Sequence, residues 1–278
     1  MPTLLAASGV VSPPRRPFDD SPGTLSYYRD LVGPFGLDVD EELLRSAPHV
    51  RHQDLLDLLA GADGIRDFAP DLVVVAHALP DVTPFTAVAP YLDHLLGGGS
   101  TNFGVHQQGL AAPFTALRAV AAFQKGRRSE RAVLAVLEQT TLPTRFPLVH
   151  DHGLVDSGVL LALGTDEGPR VTAVETVAAA HGPAGRLREL TAADPAGTLL
   201  VTGPWVDRAA LDAGTTAVFH ADPGTYCTGV WLALARHWRT WRAAYSTVVL
   251  CDTDPRSGDT HVAVLRSDAG PAAGEEGR

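Results

Sequence analysis

The alternation of strand-like and helix-like segments predicts an α/β protein built from layers. Three observations carry that expectation. Short apolar runs rich in β-branched residues recur along the 278-residue chain. Amphipathic stretches of helical length separate them, and clusters of Gly, Pro and Asp punctuate the joins. Residues 1 to about 165 read as one round of this alternation, and residues 170 to 267 repeat it in shorter form.

The elements follow in order. A strand is predicted over Thr3–Val11. Leu72 to Ala78, LVVVAHA, is bounded by Pro70-Asp71 and Pro80-Asp81 and reads as a buried strand. Thr86 to Leu96 is amphipathic and stops at Gly97-Gly98-Gly99, a helix terminus. A short strand, Asn102 to His106, leads through Gln107-Gln108-Gly109 into a helix from about Ala112 to Phe123. A strand that delivers a residue to a helix N-terminus exposes it to the positive end of the dipole, a setting that activates nucleophiles. The residue delivered here is Leu110, which has no nucleophilic atom.

Composition sets the outer bounds. With 45% hydrophobic and 19% charged residues, the chain can bury a sizeable core as one domain or as two fused halves. No apolar run reaches the length of a membrane span, and the start MPTLLAASGVVSPP lacks a basic n-region, so a cytoplasmic location is expected. Cys227 and Cys251 are the only cysteines, which argues against a disulfide framework or a structural zinc. A net charge of −10 argues against nucleic acid as a general partner. The tail at 268–278, ending AGPAAGEEGR, is expected to be disordered.

Several stretches, in order, resemble one family. DLVVVAHALPD, the following PFTAVAPYLDHLLG and QQGLAAPFTALRAVA are similar to the first half of a ketoacyl synthase III or a related chalcone-synthase-type enzyme. Those proteins run strand, "PD" turn, helix and then a QQGC-like or AACSG-like cysteine motif. HGLVDSGVLLALG (His152 to Gly164) resembles the family's GDGAGAVVLG strand pair. GTYCTGVWLAL (Gly224 to Leu234) resembles its GNTSAAS loop and helix, and DTHVAVLRS its closing strand. The resemblance implies a thiolase-like five-layer αβαβα fold of two pseudo-repeated halves, 1–165 and a compressed 166–267, around a shared pair of central helices. It places Leu110 where the family has its cysteine, Gly224 at its asparagine and, through LLVTGPWV, Gly203 at its histidine, with His220 an alternative for the last.

A leucine forms no thioester and a glycine donates no side-chain hydrogen bond, so condensation by this chain alone is not expected. Three other residues are candidates for residual chemistry. His106 reads either as a general base facing the cavity or as a hydrogen-bonded space-filler. His220 is the second candidate base. Cys227, in the GNTSAAS-like loop, is either a displaced nucleophile or a small buried cysteine. His150, Asp151, His152 and Asp156 form H-D-H-x3-D but lack further ligands at recognisable spacing, so no metal site is expected.

Two basic clusters stand out from the acidic background: Lys125, Arg127, Arg128 and Arg131, and Arg236, Arg239 and Arg242 at helical spacing. They read as solvated faces or as a dock for an acyl carrier protein, whose surface is acidic and whose arm carries a phosphate. The resemblance also implies edge-to-edge dimers in which a loop of one protomer lines the partner's acyl tunnel. Phe85, in PDVTPFTA, stands where the family projects a bulky residue.

The expectation that follows is a non-catalytic ketosynthase III-like subunit, pairing with a catalytic homologue and shaping its acyl pocket in secondary metabolism. No cofactor is expected beyond an acyl thioester on coenzyme A or on a carrier's phosphopantetheine. The alternatives are a stand-alone acyltransferase that passes an acyl group straight from a thioester to an amine or alcohol, and a homodimeric acyl-binding protein.

Overall fold

The computed structural model describes residues 1–83, 86–211 and 214–267. Its strands are β1 (Thr3–Val11), β2 (Leu72–His77), β3 (Thr101–Val105), β4 (Ala132–Glu138), β5 (Ser157–Gly164), β6 (Arg170–Val177), β7 (Thr198–Thr202), β8 (Ala217–His220), β9 (Thr247–Thr253) and β10 (Thr260–Arg266). Its helices are α1 (Pro22–Val32), α2 (Glu41–Ser46), α3 (His52–Ala60), α4 (Val88–Leu95), α5 (Ala112–Lys125), α6 (Pro147–His150), α7 (Pro183–Ala192) and α8 (Gly229–Ala244). Phe85 and the tail at 268–278 lie outside the described residues.

The strands run in the order β3-β2-β4-β5-β1-β6-β10-β9-β7-β8. Each half contributes a parallel trio, β3-β2-β4 or β8-β7-β9, followed by two antiparallel strands, β5-β1 or β10-β6. The second half thus repeats the first about a pseudo-twofold axis. The seam between them is a single pair, Thr3 opposite Arg170.

The sheet folds at this seam around two helices. α5 packs on β2 and β4 of its own half and on β6 and β10 of the other; α8 packs on β7 and β9 and on β1 and β5. Strand alternation explains how both faces are filled. Leu72, Val74 and Ala76 of β2 face α5 and α8, while Val73 and Val75 face outward to Leu55, Leu59 and Leu92 of α3 and α4. A strand buried on both faces reads as an unbroken apolar run. On the far side, Leu187 of α7 covers Leu200, Val249 and Val262. The result is five layers, α3/α4, sheet, α5/α8, sheet, α7, as the thiolase-like reading requires.

Boundaries moved by one or two residues. The strand expected over Leu72–Ala78 ends at His77, the helix expected from Thr86 starts at Val88, the next strand slips to Thr101–Val105, and α5 runs on to Lys125 before Gly126 caps it. Among the described residues no helix is long and apolar enough to cross a membrane.

Candidate active site

Leu110 and Gly224 lie just before α5 and α8. After β3, the backbone turns through Gln107 (φ 61°) and Gly109 (φ 54°). A Cβ on Gly109 would stand 2.5 Å from the Tyr226 hydroxyl and 2.7 Å from Asp254 Oδ2, so glycine is required by packing as well as by its positive φ. Leu110 follows, buried in the inner core with Phe114 and Trp231, whose rings lie 4.9 Å apart. Its amide donates to Asp254 Oδ2 at 3.3 Å.

Asp254 comes from the other half, just past β9. The Tyr226 hydroxyl donates to it at 3.0 Å and Arg256 N at 2.8 Å. Burial and the Asp254 charge push the Tyr226 phenol well above its ordinary pKa. A second carboxylate, Glu138, closes β4 of the first half and holds the turn that leads into α8 of the second. It accepts Tyr226 N at 2.7 Å and Cys227 N at 2.5 Å. Burial lifts its carboxyl to about 7, against the opposing pull of the amides of Tyr226, Cys227 and Thr228. Each half therefore supplies a carboxylate to the turn that leads into the central helix of the other.

A third acid, Asp252, accepts Thr253 N at 2.9 Å and Trp205 N at 3.1 Å. Burial, reinforced by Asp254 and Glu138, holds it well above the usual carboxylate range. Its carboxyl presses against Gly203 so closely that any Cβ there would overlap it. Gly224 (φ 91°) makes the turn into α8, and its carbonyl accepts Val155 N at 2.9 Å. Of the three positions where the resemblance puts catalytic groups, Leu110 and Gly203 touch the buried acids, while Gly224 lies two residues before Tyr226 against Gly153 and Val155.

The other candidates fall differently. Cys227 precedes α8 by two residues as Leu110 precedes α5 by two, so it is Leu110's pseudo-symmetric counterpart. Its thiol is buried, donates to Leu137 O at 3.6 Å and is pushed well above the ordinary range by burial and by Glu138, the opposite of an activated nucleophile. His106 is exposed and stacks on His77, centroids 5.5 Å apart, which in turn packs on His52 of α3. It belongs to the outer layer and makes no contact with the Leu110–Asp254 pair. His220 is exposed at the end of β8, its Nδ1 2.6 Å from the Thr202 hydroxyl, and its pKa is lowered by burial and by Arg208.

The basic clusters do not gather at this site. Lys125, Arg127 and Arg128 lie at or beyond the C-terminal end of α5, about 20 Å from Leu110 at 1.5 Å per residue. Arg239 and Arg242 lie over Trp238, 5.0 and 5.8 Å from its ring, and Arg236 pairs with Asp222 at 3.3 Å. In the H-D-H-x3-D stretch, Asp151 pairs with Arg145, His152 packs edge-on to Trp205 at 4.8 Å, and Asp156 accepts Thr140 N at 2.7 Å. Among the described residues no group of three or more His, Cys, Asp or Glu could hold a metal ion.

Sequence reasoning missed Glu138, Tyr226, Asp252 and Asp254. A signal existed: an acid ends the otherwise apolar AVLAVLE, and two acids follow VVLC. An acid closing a strand at the end where helices begin has amides to meet.

No protein-family model matches the sequence, and no curated protein does. Solved structures do. One is AbyA1, a tetronic acid condensing enzyme, at 16% identity and TM-score 0.66, over 96% of this chain and 100% of that one. The fold is that of the condensing enzymes. A second is ChlB3, described as an acyltransferase, at 14% identity and TM-score 0.62, covering 98% of both chains. A third is 3-oxoacyl-[acyl-carrier-protein] synthase III from Aquifex aeolicus VF5, at 12% identity and TM-score 0.61, over 96% of this chain and all of that one. The ketoacyl synthase III-like architecture therefore spans nearly the whole chain.

Proposed function

We propose that this chain is a non-catalytic ketosynthase III-like subunit that pairs with a cysteine-bearing homologue and shapes its acyl pocket. The observation that carries the reading is the hydrogen bond from Leu110 N to the Asp254 carboxylate. Carbon–carbon condensation places negative charge on a thioester oxygen, and helix-terminal amides are suited to hold it. Here one of those amides faces a carboxylate of the same chain, which repels such charge. Leu110 supplies no nucleophile, and the thiol of Cys227 is held protonated under Glu138.

A direct acyltransferase is the second reading, supported by the likeness to ChlB3. It needs a base and no enzyme nucleophile, and His220, with its lowered pKa, is the residue to examine. The acyl group would arrive on coenzyme A or on a carrier's phosphopantetheine. Arg236, Arg239 and Arg242 are the surface offered to an acidic carrier.

The test is to produce the chain alone and together with a ketosynthase III-like protein with an intact cysteine encoded beside it, then measure oligomer mass and acyl-thioester consumption. The pairing reading expects a one-to-one complex, inert alone and active only while the partner keeps its cysteine. A homodimer that consumes acyl thioesters unaided, and loses that activity in His220→Ala, would replace it with direct transfer.

A further inference from the structure

A cavity of about 360 Å3 lies apart from the acid cluster, under the segment that joins β1 to α3. Part of its wall is aromatic. Phe18 stacks on the buried His49 with centroids 5.0 Å apart, and the buried Tyr28 donates its hydroxyl to Val82 O at 3.0 Å. Arg16 and Arg51 line the cavity too, and both converge on Asp54. Arg51 uses Nε at 3.1 Å and Nη2 at 2.7 Å, and Arg16 uses Nη1. Nη1 of Arg51 and Nε and Nη2 of Arg16 therefore have no hydrogen-bond partner among the described residues. Thr83, another lining residue, has a buried hydroxyl oxygen with no partner among them either.

The nearby carboxylates are all engaged. Asp19 accepts Ser21 N and the Thr24 hydroxyl, Asp54 holds the two arginines, and Asp81 accepts His52 N, Val82 N and the Thr86 hydroxyl. What the cavity has left over is donor capacity: one planar fork, Nε and Nη2 of Arg16, and the single nitrogen Nη1 of Arg51, which together match a carboxylate. A monoanion also suits the neighbourhood better than a phosphate dianion, which Asp19 and Asp54 would repel.

We propose that this cavity binds an aromatic carboxylate. The ring packs on Phe18 and Tyr28, the carboxylate takes the free nitrogens of Arg16 and Arg51, and the Thr83 hydroxyl meets a polar ring substituent. This is independent of the pairing proposal, because neither ligand nor readout involves a second subunit.

Calorimetric titration of the full chain with benzoate and trans-cinnamate tests it, with benzylamine and inorganic phosphate as comparators. Saturable binding of a carboxylate, absent for benzylamine and weakened at least tenfold in Arg16→Gln, is the expected result. Arg16 is exposed and lies outside every helix, so that variant folds, and its far-ultraviolet dichroism should match the parent. No carboxylate binding at millimolar concentration, preference for benzylamine or phosphate, or affinity unchanged in Arg16→Gln would overturn the proposal.

Discussion

At the start of α8, Glu138 takes two amides at 2.7 and 2.5 Å in a fully buried setting, whereas at the start of α5 Asp254 takes one amide at 3.3 Å and shares itself with Tyr226 and Arg256. The two helices occupy equivalent places about the pseudo-twofold axis, so the difference lies in the turns that lead into them. The α8 end is closed by short bonds whose loss would strand buried amides. The α5 end is closed by a longer, divided contact. Glu138 is thus the more deeply engaged acid of the pair, and Asp254 the one in contact with Leu110.

The comparison breaks most readily at Glu138. Glu138→Ala leaves at least two buried donors unpaired beside a cavity and should cost about 3–5 kcal/mol in urea unfolding. Asp254→Ala should cost less, about 1–2 kcal/mol. The reverse order would show that the turn before α5, not the turn before α8, holds the fold.

Titration gives the next largest effect. Glu138's carboxyl is raised from 4.5 to about 7, so the stability it contributes is complete below its ordinary value and disappears as the pH rises through 7. The 2.5-unit shift corresponds to roughly 3 kcal/mol. His52 works in the opposite sense. Burial lowers it from 6.5 to about 4, so its contribution is present above 6.5 and lost as the pH falls through 4. The two slopes oppose each other between about pH 4.5 and 6.5, so Glu138's share must be read by subtracting a Glu138→Gln curve from that of the parent. A difference curve flat from pH 5 to 8 would place Glu138's proton elsewhere.

The smallest effect sharpens the α5 side. Leu110→Cys should cost about 1–3 kcal/mol in lost packing and yield a thiol that iodoacetamide modifies slowly, because Asp254 disfavours a thiolate beside it. Adding Asp254→Asn should speed that modification. Equal rates in the single and double variants would remove Asp254's blocking role.

The layered fold was legible because β2 is apolar on both faces and the helix before β3 carries its own stop at Gly97-Gly98-Gly99. Leu110 after QQG was equally legible, a residue with no nucleophilic atom. The acids that hold the turns before α5 and α8 were not. Leu110 and Asp254 stand 144 residues apart and Glu138 and Tyr226 stand 88 apart, and no local pattern encodes a contact across the pseudo-twofold axis. Of the two readings of Cys227, the buried cysteine fits its place opposite Leu137 and Glu138. His106, read as a cavity base or a space-filler, stacks on His77 at the sheet end.

The seam of one residue pair between β1 and β6 makes the chain a candidate for splitting. Cut in the turn between β5 and β6, each fragment would keep its own sheet and central helix yet carry an acid that accepts at least one amide from the other piece. Neither piece could close its interior alone. Together they would form a complementation pair, held by two carboxylates exchanged between the halves.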